Sequence, residues 1–198
     1  MRAQDCAGWF GKIPSAGDFI TRGLPRNFVE PWDEWLSSEL SAARRSFGER
    51  WARVYRRAPL WCFVLGEGVI DARVWLGVLV PSFDRVGREF PLTIAFGSDS
   101  HASGTGPQWW TQLAAIGRRA VARDGSAALL DEGLVGLIGA AGACERGSVA
   151  LDSVVSPPGE GLSRWWHGEE QGRSGKQPRV APGLPREELF LELLTLCS

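Results

Sequence analysis

Apolar residues recur at three- and four-residue spacing in several segments of the chain, a pattern that predicts amphipathic helices. We place the start of the clearest helix at Pro31, because proline suits the first helical position. The acidic residues after Pro31 and the basic residues before Phe47 complement the helix dipole, and Gly48 is a natural stop. The apolar stripe of this helix consists of Trp32, Trp35, Leu36, Leu40, Ala43 and Phe47.

Shorter periodic segments predict four further helices. They cover residues 50–57, 107–123 and 127–138, and a last helix opens at Pro185 and Arg186. Ser126 is placed to cap the helix that follows it.

Continuous or alternating apolar runs predict the strands. The central runs are nearly all apolar, which favours a sheet covered on both faces, and their short connections favour antiparallel neighbours. The predicted strands are residues 8–14, 60–65, 74–80, 92–96, 162–167 and 179–181.

Together these elements predict an α/β fold, with α+β character as the alternative. We expect a single domain over residues 1–198, built as a three-layer sandwich with a mixed, mostly antiparallel sheet flanked by helices. Residues 97–106, 147–161 and 168–177 are predicted loops. The tetrapeptide Gly-Leu-Pro-Arg occurs at 23–26 and 183–186, but its surroundings differ, so we predict no internal repeat.

Composition narrows the function. The net charge of −1 offers no general attraction for nucleic acid. The N-terminus has no apolar signal segment, and the longest weakly apolar run, residues 134–143, has half the length of a membrane span. We therefore expect a cytoplasmic protein without membrane insertion. The ten tryptophans are expected mostly in the core, with some available to anchor a partner.

The four cysteines are scattered without CxxC spacing, which favours reduced thiols over a metal finger or a disulfide scaffold. Cys62 lies in an apolar run and is predicted to be a small buried side chain.

Motifs for the common enzyme classes are missing from the sequence. His101 and His167 have no HExxH context, and neither a GxSxG elbow nor a phosphate-binding GxxxxGK[ST] loop is complete. We therefore predict no catalytic residue, no metal site and no cofactor.

Two polar clusters remain as candidates for function. One surrounds the turn at residues 12–18 and includes Arg22; the other is the charged loop at residues 84–89. In a functional interpretation, Asp18 or Asp84 is a catalytic or metal-holding carboxylate, and Arg85 or Arg88 clamps an anion. In the structural alternative, Asp18 bonds its own turn and Asp84 pairs with Arg88. As candidates for partner binding we take Lys12, Ser15, Asp18, Asp84, Arg85 and Arg88.

Two long stretches of the sequence are unusual enough to indicate a family. The first is GWFGKIPSAGDF at residues 8–19, followed by GLPR at 23–26 and PWDEWL at 31–36. The second is WLGVLVPSFDRVGREFPLT at residues 75–93. Both stretches resemble the TagF (ImpM) family of type VI secretion proteins. The resemblance is dense over residues 8–96 and thins to the Trp-Trp pair at 165–166 and the GLP element at 183–185, while residues 98–160 carry no signature.

The resemblance implies a compact α/β domain with its sheet between helices. It also implies a post-translational brake on type VI secretion that acts through a cytosolic scaffold protein with a forkhead-associated domain, apart from the threonine-phosphorylation switch. Some relatives carry a PP2C-type phosphatase domain, for which these 198 residues leave no room, so phosphatase activity is not expected. The charged positions of the family signature are Lys12, Asp18, Asp33, Asp84, Arg85 and Arg88.

The leading hypothesis is therefore a non-catalytic interaction module that binds a component of the secretion apparatus. The alternative is an enzyme or small-ligand receptor that uses the two polar loops. It requires that these loops meet around a concave site that holds a strongly shifted carboxylate. A structural subunit is a weaker third hypothesis, because the sequence has no repeats or self-complementary edges.

Overall fold

The computed structural model describes residues 6–98, 106–144, 157–168 and 178–195. Within these ranges the chain forms seven strands, five α-helices and one 3-10 turn, Gly48–Arg50. The strands are β1 (Cys6–Gly11), β2 (Ile20–Arg22), β3 (Trp61–Leu65), β4 (Val74–Val80), β5 (Leu92–Ser98), β6 (Leu162–His167) and β7 (Arg179–Pro182). The helices are α1 (Arg26–Phe47), α2 (Trp51–Arg57), α3 (Pro107–Ala120), α4 (Ala127–Cys144) and α5 (Glu187–Thr195).

The seven strands form one sheet in the order β2-β1-β5-β4-β3-β6-β7. Each neighbouring pair is antiparallel, so the sheet lacks the parallel pairs that a mixed sheet would contain. The predicted α/β architecture, a sheet flanked by helices, is confirmed. The later strands β6 and β7 join the same sheet through β3 rather than forming a separate one.

Each face of the sheet carries its own hydrophobic core, because side chains along a strand alternate between the faces. In β3, Cys62 and Val64 face α3 and α4, whereas Trp61, Phe63 and Leu65 face α1, α2 and α5. Every residue of β3 and β4 is buried, which confirms the prediction of a sheet covered on both sides.

The helix predicted from Pro31 begins five residues earlier, at Arg26, so that prediction is wrong at its start. Burial explains the difference: Phe28 is fully buried and its ring packs 5.2 Å from Trp32 and 4.3 Å from Trp75. Pro31 consequently lies inside the helix, where it removes one backbone hydrogen bond. The first turn holds no acidic residue, so the predicted acidic start is absent, while the basic end and the stop at Gly48 are confirmed.

The remaining boundaries differ less. The helix predicted over 107–123 ends at Ala120, the one predicted over 127–138 continues to Cys144, and the strand predicted over 92–96 continues to Ser98. Ser126 caps α4 as predicted, since its Oγ accepts a hydrogen bond from the Leu129 N–H at 3.3 Å. Most of the three predicted loops, at 99–105, 147–156 and 169–177, lies outside the described residues.

All ten tryptophans are buried, so the prediction that some of them anchor a partner at the surface is wrong.

Cys62 is buried at the centre of β3, as predicted, and burial raises the pKa of its thiol to about 12. In the described part of the chain, no helix has both the length and the hydropathy to cross a bilayer.

Candidate functional site

The two polar loops predicted from the sequence lie at the same end of the sheet. The first loop (residues 12–18) follows β1, and the second loop (residues 84–88) lies between β4 and β5. They touch through the backbone, because the Arg85 N–H donates to the Ala16 carbonyl at 2.8 Å. The Arg88 guanidinium also donates to the Gly17 carbonyl at 2.8 Å. The proximity that the ligand-binding alternative requires is therefore present.

A buried ion triad joins the two loops. The Lys12 Nζ lies 3.2 Å from Asp84 Oδ2, and the Arg88 Nε contacts the same oxygen at 2.5 Å. The other carboxylate oxygen, Oδ1, accepts the N–H groups of Val86 at 3.0 Å and of Arg88 at 2.9 Å. The Asp84 side chain is fully buried and that of Lys12 is 7% exposed. Four donors thus surround this carboxylate.

These contacts decide the protonation state of Asp84. Burial would raise the pKa of this carboxyl, but the hydrogen bonds from Arg88, Lys12 and Val86 hold the pKa well below its usual range. A carboxylate with such a low pKa is a poor general base near neutral pH. Asp84 therefore serves to organise the loops.

A second layer of hydrogen bonds fixes the segment behind the triad. Ser82, just after β4, donates its hydroxyl to the Lys12 carbonyl at 2.7 Å, so it links the segment before the second loop to the start of the first loop. The Tyr55 hydroxyl donates to the Ser82 carbonyl at 3.1 Å and accepts the Ser82 N–H at 3.2 Å. Burial raises the pKa of the Tyr55 hydroxyl, which keeps this donor protonated.

The tip of the second loop is a tight turn centred on Arg85 and Val86. Its closing bond runs from the Gly87 N–H to the Asp84 carbonyl at 2.9 Å, and Gly87 has φ +85°. Glycine suits this position because a positive φ costs it no steric strain. Phe83 and Glu89 form a bridge just behind the turn, which completes a short hairpin.

The predicted site residues fall into two groups. Lys12 and Asp84 are buried and bind each other, a contact that the sequence analysis missed. The exposed group consists of Ser15, Asp18, Arg85 and Arg88.

The structural alternatives for the two aspartates are both present. Asp18 Oδ1 accepts the N–H of Phe19 at 2.8 Å within its own turn, and Asp84 pairs with Arg88. Arg22, which the sequence analysis grouped with the first loop, instead pairs with Asp131 of α4. No motif or spacing signals that contact, because the two residues are distant in sequence and belong to different elements.

A small apolar cavity lies near this end of the molecule but contains no residue of either loop. Its volume of about 20 Å³ is enough for roughly one water molecule. It therefore offers no room for a substrate and no support for the ligand-binding alternative. Its lining residues are Leu40, Tyr55, Ala58, Pro59, Trp61, Leu79, Pro81, Pro91, Phe190, Leu193 and Leu194.

Metal ligands are not clustered in the described ranges, where no three His, Cys, Asp or Glu side chains are placed to hold an ion. His167 lies at the end of β6, with its ring 5.9 Å from that of Trp61. His101 lies outside the described residues.

The chain is similar to known proteins in both sequence and structure. Residues 8–137 match the family described as TagF N-terminal domain, type VI secretion system-associated. The crystal structure of PA0076 from Pseudomonas aeruginosa PAO1 is similar to this chain, with a TM-score of 0.75 and 27% sequence identity. The similarity covers 97% of this chain and 95% of that one. No curated protein matches the sequence.

Proposed function

The chain belongs to the TagF family of type VI secretion system-associated proteins, and from this premise we propose that it is a non-catalytic regulator of that apparatus. It binds a cytosolic component of the secretion system and withholds that component from assembly. The regulation is post-translational and negative. The observation that carries the proposal is the family match over residues 8–137, which includes both polar loops.

The chemistry of the loops supports a binding role rather than catalysis. The one buried carboxylate of the two loops, Asp84, is surrounded by donors from the protein itself. A catalytic carboxylate needs a pKa near the working pH and access to a substrate, and Asp84 has neither. One observation favours the ligand-binding alternative, namely that the two loops meet. The charged groups that would bind a ligand, Lys12, Asp84 and Arg88, are already paired with each other.

The proposed partner is the scaffold protein with a forkhead-associated domain from the same secretion cluster. The chain acts in the cytoplasm as a single domain over residues 1–198. The net charge of −1 gives it no general affinity for nucleic acid.

The six predicted residues take two different parts in binding. Ser15, Asp18, Arg85 and Arg88 are exposed and contact the partner. Lys12 and Asp84 are buried and hold the two loops in place for that contact.

Calorimetric titration of the purified chain against the scaffold protein tests the proposal. We expect saturable binding, with a dissociation constant of about 10 μM or tighter. A forkhead-associated domain from an unrelated protein is the matched control and is expected to give no heat of binding. Absence of binding to the cognate scaffold at about 100 μM contradicts the proposed partner.

A further inference from the structure

The tip of the second loop carries side chains that the fold itself does not use. Val86 is 70% exposed, although valine is usually an interior residue. Arg85 is exposed beside it and forms no ion pair within the described part of the chain. Arg88 is the other exposed arginine of this loop. We name Arg85, Val86 and Arg88 the arginine surface.

The charge of this surface is unbalanced. Lys12 and Arg88 share the single carboxylate of Asp84, which leaves one positive charge in excess in the triad. The excess lies at the surface, because the Arg88 side chain is 60% exposed and that of Lys12 is buried.

The acidic residues nearby compensate for little of this charge. Glu89, at the base of the hairpin, pairs with Arg44 of α1 at 2.9 Å. Asp18 is the one exposed acidic residue of the two loops, whereas the loops carry two exposed arginines, Arg85 and Arg88. An incoming carboxylate therefore meets a positive potential here.

The surface is also held in a fixed shape. Asp84 anchors the N–H groups of Val86 and Arg88, and the backbone of Arg85 is bonded to the first loop. A preorganised loop loses little conformational entropy on binding, so more of the contact energy appears as affinity. Arginines around one exposed apolar side chain are typical of an interface anchor.

We propose that the arginine surface binds an acidic segment of a partner protein. Carboxylates of the segment pair with Arg85 and Arg88, and an apolar side chain of the segment covers Val86. The proposal rests on the proposed function in one respect, that the natural partner is a type VI secretion component. A protein segment fits better than a nucleic acid, because Val86 gives an apolar contact that a phosphate backbone does not use.

The first experiment titrates the scaffold protein against surface variants. Arg85→Glu and Val86→Asp are each expected to weaken binding at least tenfold. The matched controls are Arg26→Glu and Val135→Asp. Val135 is 72% exposed on α4. Arg26 lies at the start of α1. This end of α1 is remote from the second loop, because Phe28 contacts Trp75 at the opposite end of β4. Raising the salt concentration from about 50 to about 300 mM is expected to weaken binding of the wild type more than the residual binding of Arg85→Glu, which keeps only Arg88.

The second experiment does not depend on the identity of the partner. A synthetic peptide of alternating glutamate and leucine is titrated into the labelled protein and followed by NMR. We expect shifts of the backbone resonances of Arg85, Val86 and Gly87, and much smaller shifts from the same peptide with glutamine in place of glutamate. The Arg85→Glu variant is expected to abolish the difference between the two peptides.

The two experiments separate the inference from the proposed function. Scaffold binding that the surface variants and the controls weaken equally leaves the proposed function standing and overturns the surface. Failure of the scaffold to bind, with the acidic peptide shifting the loop, rejects the scaffold and supports the surface. If neither binds, both are wrong. A DNA oligonucleotide that shifts the loop more strongly than the peptide marks a general polyanion site and also overturns the inference.

Discussion

Lys12 is an unusual residue in this fold, because it is buried and lysine is almost never fully buried unless its ammonium group is paired. Its charge is stabilised by Asp84 and by the ring of Phe19, whose centroid lies 4.8 Å from Nζ. The Asp84 carboxylate has three further donors. Without Asp84, Lys12 would lose its only ion-pair partner among the described residues, whereas without Lys12 the carboxylate would keep these three donors.

This inequality predicts the order of two substitutions. Asp84→Asn leaves the Lys12 charge buried beside a neutral group, and we expect it to lower the free energy of unfolding by about 3 kcal/mol. Lys12→Met removes the charge and keeps the apolar stem, so we expect a loss of only about 1 kcal/mol. Urea unfolding at pH 7 measures both. The exposed Asp124→Asn is the control and should be neutral; equal losses for Lys12→Met and Asp84→Asn would contradict the argument.

The lowered pKa of Asp84 also predicts a pH dependence. A carboxyl whose pKa is lower in the folded than in the unfolded state stabilises the fold above the unfolded value of about 4. This contribution is lost as the pH falls below that value towards the folded pKa. The difference in stability between the wild type and Asp84→Asn should therefore be constant from pH 7 to pH 5 and narrow at pH 3. Urea unfolding of both proteins at these three pH values measures the difference in free energy of unfolding. A difference that grows as the pH falls would be inconsistent with the assigned contacts.

At the scale of elements, the Gly-Leu-Pro-Arg tetrapeptide occurs at two equivalent junctions. It follows β2 and precedes α1, and it follows β7 and leads into α5. Gly23 and Gly183 both have positive φ, at +72° and +63°, which turns the chain away from the strand. β2 and β7 are the two edge strands of the sheet. At each edge, the same tetrapeptide therefore directs the chain from the edge strand into a helix that packs on the sheet. The tetrapeptide is thus a local junction signal, and the elements around it do not form a repeat.

The two helices that follow these junctions meet over the sheet. The rings of Trp35 and Phe190 pack 5.7 Å apart, and the buried carboxylate of Glu39 accepts the N–H of Glu187 at 3.0 Å. Glu39 thereby satisfies a donor at the start of α5 that the helix itself leaves unpaired.

Close packing at the middle of β4 gives an element-scale prediction. A Cβ at Gly77 would lie 2.0 Å from the Ile94 carbonyl oxygen and 2.7 Å from the ring of Phe63. We expect Gly77→Ala to lower the free energy of unfolding by about 3 kcal/mol, because the backbone of β5 has to move.

The matched control is Gly136→Ala on α4, where a Cβ meets no atom within 4 Å. It should stabilise the helix by about 0.5–1 kcal/mol. Thermal unfolding followed by circular dichroism measures both variants. A neutral Gly77→Ala would show that β4 and β5 tolerate a wider separation.

At the scale of the whole molecule, the C-terminal elements contribute to the same core as the N-terminal part. The family match ends at residue 137, whereas β6, β7 and α5 lie beyond it. Trp165 of β6 is fully buried, and its ring packs 5.2 Å from Phe63 and 5.8 Å from Trp35. The two polar loops, at residues 12–18 and 84–88, therefore stand on a sheet that both parts of the chain build.

Much of this fold follows from local patterns. The strand over residues 74–80 and the strand over 162–167 have the predicted bounds, because runs of apolar residues are strong signals. The start of α1 was misplaced because the proline rule is local, while Phe28 is drawn into the helix by packing against Trp75. Likewise, the candidate site was found as two separate charged clusters. Their junction depends on Lys12 and Asp84, which are 72 residues apart.

The sequence by itself determined which helices and most strands form, the two-sided burial of the sheet and the family, because each depends on neighbouring residues or on a continuous motif. Only the tertiary structure decided which charged residues are buried and which remain exposed. Strand order brings the two loops together, and burial there makes the Lys12–Asp84 pair structural. The same packing leaves Arg85 and Val86 at the surface, since their turn projects beyond the sheet and no element covers them within the described residues.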